Sequence, residues 1–96
     1  MANRKKPGKE AFKKELLEFS SDIPQAYTTR TLEKLAENGK LGAIVAQMRE
    51  KGTYTPQALK IYINNVRLGR IVDWNVLDAL RDLAKEAVNL EAELAA

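Results

Sequence analysis

The sequence predicts an all-α protein, a small bundle of about five helices that ends in a long C-terminal amphipathic helix. Two observations carry that expectation. Apolar residues recur three and four positions apart in successive segments, and residues that start or stop helices stand between those segments. A chain of 96 residues can bury one hydrophobic core with little surplus stability, so residues 9–96 are expected to form a single helical domain.

The segment "MANRKKPGKE" sets a Pro-Gly pair among basic residues, and residues 1–8 read as a disordered basic arm. Phe12, Leu16 and Phe19 then recur at helical spacing beside Leu17, predicting a first helix over roughly residues 9–20. "SSDIP" ends it, because Ser and Asp favour turns and Ile23 is pushed out of the helical region by Pro24. A second helix is expected after Thr28 and Thr29, whose hydroxyls can cap free N–H groups, and it carries Leu32, Leu35 and Ala36 inward until Asn38-Gly39 stops it. Leu41, Ile44, Val45 and Met48 fall at i, i+3, i+4 and i+7, the pattern of a core-facing third helix that Gly52 terminates. Thr55 and Pro56 pair an N-cap with a first-turn proline and open a fourth helix running to about Arg67. Asp73 caps the last helix, residues 73–95. Within it Val76, Leu80, Leu83, Ala87, Leu90 and Leu94 alternate spacings of four and three, a coiled-coil seam that serves as core, as a homodimer interface, or as both. Trp74 in its first turn is expected to anchor the helix to the bundle.

The chain contains neither Cys nor His, so disulfides, thiolate nucleophiles, imidazole bases and tetrahedral zinc sites are excluded together. No metal or cofactor is expected. Its carboxylates are interleaved with Lys and Arg on solvated faces, and no phosphate-cradling glycine loop occurs, so an enzyme is not expected either. The longest apolar run is four residues, "AIVA", too short to span a membrane, and a cytoplasmic protein is the default expectation. Charge is unevenly spread. Residues 1–14 hold six Lys/Arg against one Glu, whereas residues 73–96 hold two against six Asp/Glu, giving a basic head and an acidic tail. The head is the better candidate for contact with a polyanion.

On the fourth helix Gln57, Lys60, Asn64 and Arg67 gather on one side, with Leu59, Tyr62, Ile63 and Val66 on the other. Gln and Asn can pair with adenine and Lys and Arg with guanine, while Thr53, Thr55 and Arg70 can hold phosphates. The solvated face of any amphipathic helix has a similar composition. Arg4, Lys5, Lys6 and Lys9 can follow a phosphate backbone, or act only as a solubilising tail.

The helix "AIVAQMREKG", the turn "TY" and the helix "TPQALKIYINN" resemble a helix-turn-helix of the winged or extended kind over residues 41–67. A competing variant of that resemblance likens "RTLEKLAENGKLGAIV" and "GTYTPQALKIYI" to excisionase and MerR-like proteins. It implies a β-hairpin over residues 43–55, base-reading by Arg30, Thr31 and Lys34, and a wing tip at Arg49 and Lys51. The all-helical form is preferred, because "AIVAQM" lacks the alternation of a half-buried strand. Both forms imply a partner of double-stranded DNA and a small regulator of transcription, of a mobile element or an operon. The alternative is a helical adaptor or inhibitor whose C-terminal stripe meets a protein partner. Charge separates the two, because the regulator needs the arm, the quartet and Arg70 on one side of the molecule.

Overall fold

The computed structural model describes residues 8–95, and the expected arm residues Arg4, Lys5 and Lys6 lie outside them. The elements are α1 (Lys9–Phe19), a 3-10 turn (Ser20–Asp22), α2 (Thr28–Glu37), α3 (Leu41–Glu50), α4 (Pro56–Arg67) and α5 (Trp74–Ala95). No strand occurs among the described residues, so the β-hairpin of the winged variant is overturned. Its physical reason is in the spacing: Ile44 is buried and Leu41, Val45 and Met48 pack beside it, which a helix over 41–50 achieves and a strand would not.

Local chemistry fixes most boundaries. The Thr55 Oγ1 accepts from the Ala58 N–H at 2.9 Å and Pro56 occupies the first turn of α4. Asp73 Oδ1 accepts from the N–H groups of Asn75 and Val76, both at 3.1 Å, and so starts α5. α2, α3 and α4 close in one way. Gly39, Gly52 and Gly69 take left-handed φ values of 73°, 72° and 78°, and the N–H of the following residue donates to the carbonyl five residues back. The start of α2 departs from expectation: it begins at Thr28, its N-cap is Tyr27, and no side chain caps it. Instead the buried Thr31 hydroxyl, one turn along, donates to the Tyr27 carbonyl at 2.7 Å.

α5 is the centre of the bundle. α1, the 3-10 turn, α2 and α4 all pack on it, whereas α3 packs chiefly on α2. Its first three turns are buried nearly all round, through Trp74, Val76, Leu77, Ala79, Leu80, Leu83 and Ala84. Phe12 meets Trp74 edge to face, with ring centroids 5.3 Å apart. Further along, Glu15 pairs with Arg81 at 2.6 Å, and the Arg81 guanidinium lies 5.3 Å over the Phe19 ring. Successive α1 residues thus meet successive α5 residues in the same order, so the two helices run parallel. Beyond Ala84 the cover thins, and α5 continues for three further turns in which Ala87 is the most buried residue.

The stripe on α5 therefore has two energetic regimes, and each predicts its own mutational cost. Leu80→Ala should destabilise the fold by about 2–5 kcal/mol in urea denaturation, because it removes a fully buried side chain. Leu94→Ala should stay within about 0.5 kcal/mol at concentrations where the protein is monomeric. Equal losses at the two positions would contradict this division of α5.

Candidate nucleic-acid interface

The exposed side of α4 and its closing turn carries Gln57, Lys60, Ile61, Asn64 and Leu68, because Leu59, Ile63 and Val66 turn into the core. Thr53 and Thr55 stand exposed at its N-terminal end. Both hydroxyls are engaged locally: Thr55 caps α4, and Thr53 donates to the Met48 carbonyl at 3.2 Å.

The four residues singled out on α4 divide into two pairs. Gln57 and Lys60 are exposed. Asn64 Oδ1 instead accepts from the Tyr27 hydroxyl, and half-buried Arg67 donates to the Ser20 carbonyl at 3.2 Å while lying 5.9 Å over the Tyr27 ring. A base edge that used Asn64 Oδ1 would have to share or displace the Tyr27 bond. Burial raises the pKa of the Tyr27 hydroxyl, with Arg67 pulling in the opposite direction, so the hydroxyl is a donor at neutral pH. Tyr27 lies 37 residues from Asn64 in the chain, and nothing local in the sequence announces the contact.

At the other end of α4 the chain assembles cations. Arg70 follows the closing turn and donates to Asn65 Oδ1 at 3.4 Å. The stem of Lys13 crosses that turn closely, such that a Cβ placed on Gly69 would meet Lys13 Cγ at 3.4 Å. Lys9, exposed at the start of α1, is one helical turn before Lys13 on the same stripe. Lys13, Arg67 and Arg70 are thus gathered by α1 and the end of α4, and Lys13 is the member that sequence reading did not single out. A compositional fact bears on the whole face. Residues 51–72 carry Lys51, Lys60, Arg67 and Arg70 and not one Asp or Glu.

The cations of α2 have the opposite fate. Arg30 pairs with Glu33 at 2.7 Å and with Glu86 of α5 at 3.1 Å, and Lys34 also pairs with Glu86. Thr31 is fully buried. Base-reading by Arg30, Thr31 and Lys34 is therefore overturned, because Arg30 and Lys34 fasten α2 to α5 and Thr31 is buried with its hydroxyl on the Tyr27 carbonyl. Of the wing-tip residues, Arg49 lies 5.0 Å over the Tyr54 ring and Lys51 is exposed at the end of α3.

No protein family, curated protein or solved structure matches the chain. The chemistry of its own surface has to carry the functional reading. Among the described residues no group of three or more Asp or Glu could hold a metal ion, and no helix is long and apolar enough to cross a membrane. The seam on α5 is split: Val76, Leu80 and Leu83 fill the core of this chain, and Ala87, Leu90 and Leu94 are the part still accessible to a partner.

The ion pairs on Glu86 predict a pH dependence. Lys34, hydrogen-bonded to it, and then Arg30 hold the Glu86 carboxyl below its ordinary value of 4.5. A depressed folded-state pKa contributes stability that is present above the unfolded value and lost as the pH falls through the folded value. The parent should therefore have a slightly higher urea midpoint than Glu86→Gln at neutral pH, with the two converging as the pH drops below 4.5. A midpoint difference that persists unchanged in acid would refute the ionic origin of the bond.

Proposed function

We propose that this chain is a small DNA-binding regulatory protein that presents the exposed side of α4 to a duplex. In this reading Gln57 and Lys60 face base edges in the major groove, while Lys9, Lys13, Arg67 and Arg70 lie along the phosphates. Thr53 and Thr55, at the N-terminal end of α4, are placed to approach the backbone there.

The single observation that supports it is the acid-free stretch 51–72, whose closing turn, between Arg67 and Arg70, lies against Lys13 of α1. Soluble proteins ordinarily intersperse both signs on one surface, and a face without carboxylates leaves its positive potential uncompensated. Five of the thirteen acids lie on α5, and three others, Glu10, Glu15 and Glu18, on α1.

A second reading is favoured by a different observation. Ile61 and Leu68 on α4 are each about half exposed and Leu17 on α1 is more so, and apolar groups among cations suit a protein partner. That is the adaptor alternative.

One titration separates the two. Fluorescence anisotropy of a labelled random-sequence duplex should report binding that weakens steeply with salt: four phosphate contacts give a log–log slope near −3.6, or roughly a 50-fold loss over a threefold rise in salt. Gln57→Ala with Lys60→Ala, both at exposed positions, should reduce discrimination among duplexes selected from a random pool by roughly tenfold or more. Absence of binding even at about 50 mM salt would sink the DNA reading and leave the adaptor.

A further inference from the structure

The free end of α5 is an apolar surface edged with acid. Val88, Leu90 and Leu94 are 42%, 56% and 79% exposed, and Leu83, Ala87 and Leu90 also line a groove of about 290 Å³ with Pro24 and Ala26. The positions flanking the seam there are Glu86, already paired with Arg30 and Lys34, and Glu91 and Glu93. Two such ends laid seam to seam, parallel or antiparallel, would set rows of carboxylates against each other, which disfavours a symmetric pair. Glu91 and Glu93 also stand at the C-terminal end of a helix, where the dipole is already negative, so a cationic partner would relieve two unfavourable terms together.

A surface of the complementary kind exists on the same molecule. On the flank of α1 nearest the α4–α5 turn, Lys9, Lys13 and the 74% exposed Leu17 lie with Leu68 and Arg70, while Lys14, Glu10 and Glu18 occupy the outermost side of the helix. Because α1 runs parallel to α5, with Phe12 on Trp74 and Phe19 near Arg81, this cationic surface begins at the opposite end of α5 from Glu91 and Leu94. The long dimension of the protein is 49 Å, and α1 is packed in place, so a chain cannot cover its own acidic end with its own α1.

We infer that the acidic, apolar end of α5 docks on the cationic, apolar surface of α1 and the α4–α5 turn in a second copy of the chain, giving head-to-tail association. Leu90 and Leu94 meet Leu17 and Leu68, and Glu91 and Glu93 meet Lys13 and Arg70. The contact joins two different patches, so each molecule keeps one of each unused and the assembly is open-ended. Only a few apolar side chains are involved, so the association is weak and strongly dependent on concentration and salt. It does not require that the protein bind DNA.

Sedimentation equilibrium of the whole chain without nucleic acid tests it. At low salt the weight-average mass should rise with concentration past twice 10.8 kDa without a plateau, and return to the monomer value at about 0.5 M salt. Two variants then read the direction of the contact. Lys13→Ser with Leu17→Ser blocks the head, and Leu90→Ser with Leu94→Ser blocks the tail, all at exposed positions where circular dichroism should be unchanged. Each should be monomeric alone, and an equimolar mixture should form a one-to-one dimer and nothing larger. A parent that is monomeric at all concentrations and low salt overturns the proposal. So does a parent that stops at a dimer which the head-blocked variant still forms.

Discussion

The structure depends on the enclosure of the first three turns of α5. Four other elements pack on α5 and three on α2, and the first three turns of α5 supply seven of the buried side chains. Its start is set by one carboxylate used twice: Asp73 Oδ1 caps the helix while Oδ2 accepts the Tyr62 hydroxyl from α4. Burial first, and that hydrogen bond second, push the Tyr62 hydroxyl well above its ordinary value, so it remains a donor across the physiological range. The phase of α4 against α5, and with it the choice of which α4 residues face solvent, follows from this link.

The same enclosure sorts the charges. Cations at the contacts of α5 with α2 and α1 are paired: Arg30 and Lys34 with Glu86, and Arg81 with Glu15 of α1 and with Asp78. Those of the α4 segment are not, since residues 51–72 contain no acid and their contacts are to neutral groups, the Ser20 carbonyl, the Asn65 amide and the Tyr27 ring. Parallel packing of α1 on α5 then carries the acidic end of α5 away from the lysines at the start of α1. A duplex approaching such a molecule is attracted at one end and repelled at the other, which orients the encounter before any contact forms.

How much of this the sequence disclosed differs by residue. Thr55-Pro56, Asp73, Asn38-Gly39 and Gly52 act through bonds to residues a few positions away, so their consequences were legible and the helices appear where they punctuate the chain. Thr28 and Thr29 misled, because a hydroxyl near a helix start suits a cap, yet tertiary packing drew Thr31 inward and left the start of α2 without one. The stripe on α5 was legible as a stripe, but periodicity reports a face and not the number of neighbours that cover it. The split between buried Leu80 and exposed Leu94 is decided by where α1 and α2 stop. Asn64 and Arg67 read as free because their partners, Tyr27 and Ser20, are 37 and 47 residues away.

The two proposed contacts share cations, and that has a thermodynamic consequence. Lys13 and Arg70 cannot lie along a phosphate backbone and also meet Glu91 and Glu93 of a second copy, so the two states exclude one another. The exchange is not balanced. A duplex carries a negative charge about every 1.7 Å of its axis and releases condensed counterions when those charges are neutralised, whereas a helix end with two glutamates has no such atmosphere to release. At low salt the duplex therefore displaces the second copy. Salt weakens both states, self-association because its glutamate–cation contacts are screened and DNA binding because the counterion term fades, and self-association depends on protein concentration as well. One small cationic face can in this way separate a stored form of the protein from a bound one without any change in its fold.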